Sequence, residues 1–258
     1  AAFGYAANGL NFELTRVFPT LLSHGLPFCP TCGCGLSRCP RNPSQPIVLG
    51  GSAATHPQRA LDADVCAVVR EDIMQRARID IDGASIDLFV GGRERLERDF
   101  KSGGVHQHLV RLFATGKHLY GDKSATDALQ RQARVALRSP APAPSKQSVF
   151  EHRSRPFNLL HKFKTVCGDD PATAGLIVAE LVHSCVEAYF ALNRIWTIGV
   201  RERIAVIAMH NPNGAVALRQ VTQTPLSALR ENPQPLDEMV ALLVGEQSNE
   251  ETWIKGAV

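Results

Sequence analysis

Apolar and polar positions divide the chain into stretches of different character. Ile47-Val48-Leu49 is a short apolar run that stops at Gly50-Gly51-Ser52, the pattern of a strand ending in a turn. A second apolar run, Val65 to Val69, follows directly on Asp62-Ala63-Asp64. Ala77 to Ile81 and Ser85 to Val90 then flank Asp82-Gly83, and an Asp-Gly pair between alternating runs predicts a tight β-hairpin. Helical spacing takes over around Leu109 to Phe113 and Ala125 to Leu137, and an earlier helix is expected over Leu10 to Leu22.

Ser139 to Ser145 reads Ser-Pro-Ala-Pro-Ala-Pro-Ser, a semi-rigid extended connector that is neither helix nor central strand. Beyond it the strand signal fades. The clearest element runs from Pro171 to Trp196, with Asp169 or Asp170 as N-cap and Pro171 in the first turn, where its missing N–H costs nothing. Further helices are expected around Gly214 to Thr222 and Pro235 to Gly245. The pattern therefore predicts an α+β chain in four parts: an N-terminal helix and Cys-rich lead-in (1–46), a small mixed-sheet core (47–138), a Pro-rich connector (139–148) and a C-terminal helical bundle (149–258).

Composition narrows the class without choosing a function. Of the 258 residues, 44% are hydrophobic and 21% charged, and the formal net charge is +3. That charge is too small to argue for a phosphate-backbone partner, which calls for a denser basic stripe. No apolar run approaches the roughly 20 residues of a membrane span, and Ala1 to Leu10 has neither the basic nor the long apolar region of a secretory signal. Three of the seven cysteines, Cys66, Cys167 and Cys185, lie in or beside apolar segments, where a small buried thiol is the usual reading. A reducing, cytoplasmic setting is expected.

Candidate chemistry gathers between Ile47 and Val90. Strand side chains alternate, so Asp62 and Asp64 project from one face while Ala63 points away. Asp87 lies on a later strand, between Ile86 and Leu88. A sheet that sets that strand beside the Asp62–Asp64 strand brings three carboxylates into one small volume. Such a cluster persists only if a group is protonated or a cation neutralises the charge. Magnesium is the natural partner, a hard ion that takes one or two carboxylates plus phosphate oxygens, and two such ions assist displacement at phosphorus. The glycine pair lets the backbone approach a phosphate, and Ser52 offers a hydroxyl and an N–H to bond it. The competing reading is that strand-end aspartates only cap turns. Asp80 and Asp82, beside the hairpin turn, are read as solvated, with Asp80 the lesser alternative as third ligand.

Leu49-Gly50-Gly51-Ser52, then Asp62-Ala63-Asp64-Val65, then Ile86-Asp87-Leu88 resembles the signature of the DNA polymerase beta-like nucleotidyltransferase superfamily. Thr115 to Asp122 is similar to a stretch found after the core in small bacterial members, which frequently carry a helical C-terminal region. The resemblance covers Ile47 to Asp122. It implies that Gly51 and Ser52 hold a nucleoside triphosphate, that Asp62 and Asp64 bind magnesium, and that Asp87 completes the set as metal ligand or base. It implies transfer of a nucleoside monophosphate, AMP from ATP, onto a hydroxyl of a small molecule such as an aminoglycoside. A toxin–antitoxin type enzyme acting on tRNA or a partner protein is the alternative, as is a degenerate nucleotide-binding module without turnover.

Other residues are weighed against plainer roles. Lys117, Arg59, Arg93 and Arg95 have the chemistry to reach a triphosphate, Lys117 being the one assigned to the nucleotide, although each such residue is more often a solvated charge. Cys29, Cys32, Cys34 and Cys39 form C-x2-C-x-C-x4-C. Structural zinc there needs four tetrahedral ligands, and the crowding, without a second separated knuckle, favours disulfide or chance clustering. Glu180, His183, Glu187 and Arg194 make a polar stripe on the Pro171–Trp196 helix, expected to face solvent. Its alternative is a cleft where Glu180 or Glu187 serves as base. Phe190 and Trp196 read as core.

Overall fold

The computed structural model describes residues 45–55, 62–81, 84–102 and 107–245. The expected Leu10–Leu22 helix, the four clustered cysteines, Arg59 and Asp82 lie outside them. Contacts divide the chain into two compact units that meet between Ser139 and Pro140. The first is α+β, built on a mixed five-stranded sheet, and the second is helical.

The sheet comprises β1 (Ile47–Gly50), β2 (Asp62–Val69), β3 (Met74–Ile81), β4 (Ala84–Gly92) and β5 (Lys117–Tyr120), in the order β3-β4-β2-β1-β5. β2 and β4 are parallel, and the other neighbours are antiparallel. The hairpin sets β3 antiparallel to β4, so the chain reverses twice between β2 and β4 and lays them side by side in the same direction. β1, β2 and β4 are central because both of their faces are apolar. Ala63 and Val65 are buried on one side of β2, and Cys66 and Val68 on the other. This is the near-continuous apolar run expected of a strand covered on both faces.

One face joins Ile47, Leu49, Ala63, Val65, Ile86, Leu88 and Val90 into a core with Ala53 and Ala54 of the short helix α1 (Gly51–Thr55). The other meets helices α2 (Arg93–Ser102) and α3 (Gln107–Thr115). A Cβ at Gly50 would strike Leu112 of α3, and one at Gly91 would crowd Leu96 of α2. Phe89 stacks tilted on His108, with ring centroids 4.9 Å apart. Helix α4 (Lys123–Leu137) packs on α3, capped by Asp122, whose Oδ1 accepts from Ser124 N at 2.8 Å. Gln130 Nε2 donates to Gly116 O at 2.8 Å and Arg134 Nε to Ala114 O at 3.0 Å, tying α4 to the turn before β5.

The helical unit holds α5 (Lys146–Val166), α6 (Pro171–Leu192), α7 (Val200–His210), α8 (Pro212–Gln223), α9 (Leu226–Glu231) and α10 (Gln234–Val244). Phe163, Leu181, Tyr189, Phe190, Leu218 and Met239 are among its core residues. Asp170 caps α6, accepting from Thr173 N at 3.0 Å. α6 stops at Leu192, short of the expected Trp196, because Arg194 takes a positive φ of 55° and Ile195 N bonds back to Phe190 O. Trp196 is buried. By length and composition alone α6 is apolar enough to cross a membrane. Here its Leu181, Cys185 and Ala188 join the helical core. Residues 140–145 of the Pro-rich stretch are neither helix nor strand, and Ala141 exchanges hydrogen bonds with Arg194: Ala141 N to Arg194 O at 2.7 Å, and Arg194 Nε to Ala141 O at 2.8 Å. The stripe on α6 is engaged within its own unit, since Arg155 holds Glu180 at 2.6 Å and Arg203 holds Glu187 at 2.5 Å.

Leu129 of α4 is fully enclosed. Leu129→Ala should cost about 2–5 kcal/mol, the usual range for removing a buried leucine side chain, measured by urea unfolding of the sheet unit followed through its own spectroscopic probe.

Candidate active site

The end of the sheet where β1 finishes and β2 and β4 begin collects the acidic residues. Register does this directly. Asp64 of β2 pairs with Asp87 of β4, and Asp62 with Ser85, while Gly50 of β1 pairs with Asp64 from the other side. Pairing in register puts the Asp64 and Asp87 side chains on one face, and alternation adds Asp62 to it. This is the face that α2 and α3 cover further along the strands, while Asp62 at the strand start is exposed and Asp64 half-buried. Asp87 is buried, its side chain 12% exposed.

Gly51 sits where the chain leaves β1, with φ at +62°, and a Cβ there would collide with Asp64 Oδ2. Both facts call for glycine: the left-handed conformation penalises a side chain, and the carboxylate already fills the space. Ser52 follows in α1. Lys117 opens β5, but its register partner is Leu49, whose side chain belongs to the opposite face. The sheet therefore brings Gly51, Asp62, Asp64 and Asp87 together and does not bring Lys117 among the carboxylates. Asp80, exposed on the edge strand, pairs with Ser85.

Electrostatics mark Asp64 as the strained member. Burial, then the Asp62 charge, then the Asp87 charge push its pKa above the ordinary carboxylate value, and Arg76 pulls weakly the other way. Asp87 has its own cation: Arg76 Nη2 donates to Asp87 Oδ2 at 2.8 Å. Among the described residues no three carboxylate, imidazole or thiolate groups stand ready-made around one point. Even so, the donor set fits a hard divalent cation. All three groups offer oxygen, and after burial it is the Asp62 and Asp87 charges that raise Asp64.

Arg76 is the residue that sequence reasoning missed. A signal for it existed, because the Asp82-Gly83 pair in the sequence predicts a tight hairpin, and the β3–β4 register sets Arg76 and Arg78 across from Phe89 and Asp87. The arginines of α2 are drawn elsewhere: Arg93 to Glu97 at 3.1 Å, Arg95 to Asp99 at 3.5 Å and Arg98 to Asp72 at 2.6 Å. Cys66 and Cys185 are buried thiols with pKa pushed up to about 12 by burial, inert rather than nucleophilic.

The Asp64 shift has a signed consequence for stability. A carboxyl whose pKa is higher in the folded than the unfolded chain adds stability below the unfolded value, about 3.9, and loses it as pH rises through the raised value. In its ionised form Asp64 is a liability to the fold. Asp64→Asn should melt at a higher temperature than the wild type at pH 7, with the gap narrowing as the pH falls toward the raised pKa, read by calorimetry across that range.

No family model matches this chain, and no curated protein matches it. Seven solved chains match in structure. One is described as a nucleotidyltransferase-like protein from Exiguobacterium sibiricum 255-15, to which this chain is similar with 9% sequence identity and a TM-score of 0.44, over 92% of this chain and 77% of that one.

Proposed function

We propose that the protein is a magnesium-dependent nucleotidyltransferase that moves a nucleoside monophosphate from a nucleoside triphosphate, ATP in the simplest case, onto a hydroxyl. The observation that carries this reading is the in-register pair Asp64–Asp87 beside the Gly51 turn, whose conformation and clearance keep the backbone close to the Asp64 carboxylate.

Asp62 and Asp64 would hold the magnesium, with Asp87 completing the oxygen set. Bound there, magnesium supplies Lewis-acid stabilisation of the charge that builds on the phosphate oxygens. Gly51 and Ser52, at the end of β1, would orient the triphosphate through backbone N–H groups. The acceptor hydroxyl oxygen forms a bond to the α-phosphorus as the bond from that phosphorus to the β-phosphate oxygen breaks. Pyrophosphate leaves, and the hydroxyl proton passes to Asp87, the buried carboxylate on that face. Positioning and electrostatics account for most of such a transfer.

A small-molecule acceptor is favoured over tRNA or a partner protein. A macromolecular anion calls for an unbalanced basic face, whereas Arg93, Arg95 and Arg98 of α2 are each paired with a carboxylate. An aminoglycoside-like polyol is the acceptor class to try first.

Incubation with magnesium, ATP and a panel of polyhydroxylated acceptors should release pyrophosphate, with the acceptor gaining the mass of a nucleoside monophosphate. Asp64→Asn should cut the rate by more than about 100-fold, the upper end of the loss caused by removing even a supporting partner of a metal ligand, while the protein stays folded. Pyrophosphate release that survives Asp64→Asn, or none with any triphosphate and acceptor, would sink the reading.

A further inference from the structure

One contact at this site works against cation binding. Arg76 stands on β3, the edge strand, and its side chain is 61% exposed, yet it reaches Asp87, whose side chain is 12% exposed. The guanidinium carbon lies 5.4 Å from the centroid of the Phe89 ring, close enough for a cation–π contact. Arg78, two residues along on the same face, is engaged differently: its Nε donates to Ser85 Oγ at 2.8 Å. An arginine thus occupies one carboxylate of the acidic set while Asp62 and Asp64 add charge beside it.

We infer that Arg76 is a positioning residue, the resident counter-ion of the carboxylate cluster, which holds Asp87 in the cation-free protein and gives it up when a divalent cation binds. The inference rests on the nucleotidyl-transfer reading of the same site. Two strands of geometry support it. Asp87 spends a hydrogen-bonding oxygen on Arg76 at 2.8 Å, and a carboxylate engaged by a guanidinium is a carboxylate withheld from a metal. The Arg76 side chain is also largely exposed on an edge strand, and its guanidinium already lies over the Phe89 ring while bonded to Asp87.

Arg76 then has two opposed effects. Without a cation it offsets repulsion and stabilises the fold; with one it is a competitor. Removing it should therefore weaken the cation-free protein and tighten cation binding, a combination that a purely structural residue does not produce.

The test is calorimetric titration with Mn2+ alone, no nucleotide, together with melting temperatures with and without Mn2+, on the wild type, Arg76→Gln, Arg76→Lys, Arg78→Gln and Asp64→Asn. Arg76→Gln should melt lower than the wild type without the metal and bind Mn2+ about twofold to fivefold more tightly, because a partly exposed ion pair no longer has to be broken first. Arg76→Lys should fall between the two, and it keeps the comparison open if the glutamine variant folds poorly. Arg78→Gln removes the same charge from the same face and should stay near the wild type. If the wild type binds Mn2+ through Asp64 but Arg76→Gln binds no more tightly, or Arg78→Gln tightens binding equally, the inference fails and the nucleotidyltransferase reading stands. If the wild type binds no Mn2+, both fail.

Discussion

Asp64 and Asp87 face each other across a parallel strand pair, an arrangement that costs energy and that the rest of the first unit is built to hold. Like charges directly across a ladder repel, so the carboxylates cannot be what keeps β2 and β4 in register. The apolar residues behind them do that. Val65 lies against Leu88 and Cys66 against Phe89, and all four are buried. A slip of one residue would send every one of them to the wrong face. Packing fixes the register, and the register places the charges. Gly50 and Gly51 complete the arrangement from β1, one admitting Leu112 of α3 and the other leaving room for the Asp64 carboxylate.

Facing carboxylates held in this way are a local cost to the fold. The raised pKa of Asp64 comes first from burial and then from the neighbouring carboxylates, and the Arg76–Asp87 ion pair answers that same negative charge. The first would keep a proton on the cluster, and the second supplies a cation from the protein itself. Proteins commonly carry this kind of local cost where function requires it.

Much of this was legible in the sequence because it rests on local pattern. The apolar run at Ile47, the Asp-x-Asp spacing and the Asp-Gly turn are short-range signals, and together they predicted four strands and the shared face of Asp62 and Asp64. The parallel pairing of β2 with β4, by contrast, is a non-local fact that only the assembled sheet reveals. Several elements were hidden for identifiable reasons. Arg93–Ser102 is so charged that its apolar side shrinks to Leu96 and Phe100. Lys117–Tyr120 is a four-residue edge strand. Lys146–Val166 carries Pro156 in its interior, normally a helix breaker, yet the helix continues and buries that proline against its neighbours. Asp170 as the α6 cap was readable; the stop at Leu192 depends on an arginine with positive φ, which no pattern announces.

The central claim, that the in-register carboxylates are a cation site for phosphoryl chemistry, is most directly tested by anomalous diffraction from a crystal containing Mn2+ and a non-hydrolysable nucleoside triphosphate. The account predicts an anomalous peak about 2.0–2.3 Å from carboxylate oxygens of both Asp64 and Asp87, as hard-cation coordination requires, with the α-phosphate against it and Arg76 moved off Asp87. A peak elsewhere, or none with Asp87 still bonded to Arg76, would contradict it.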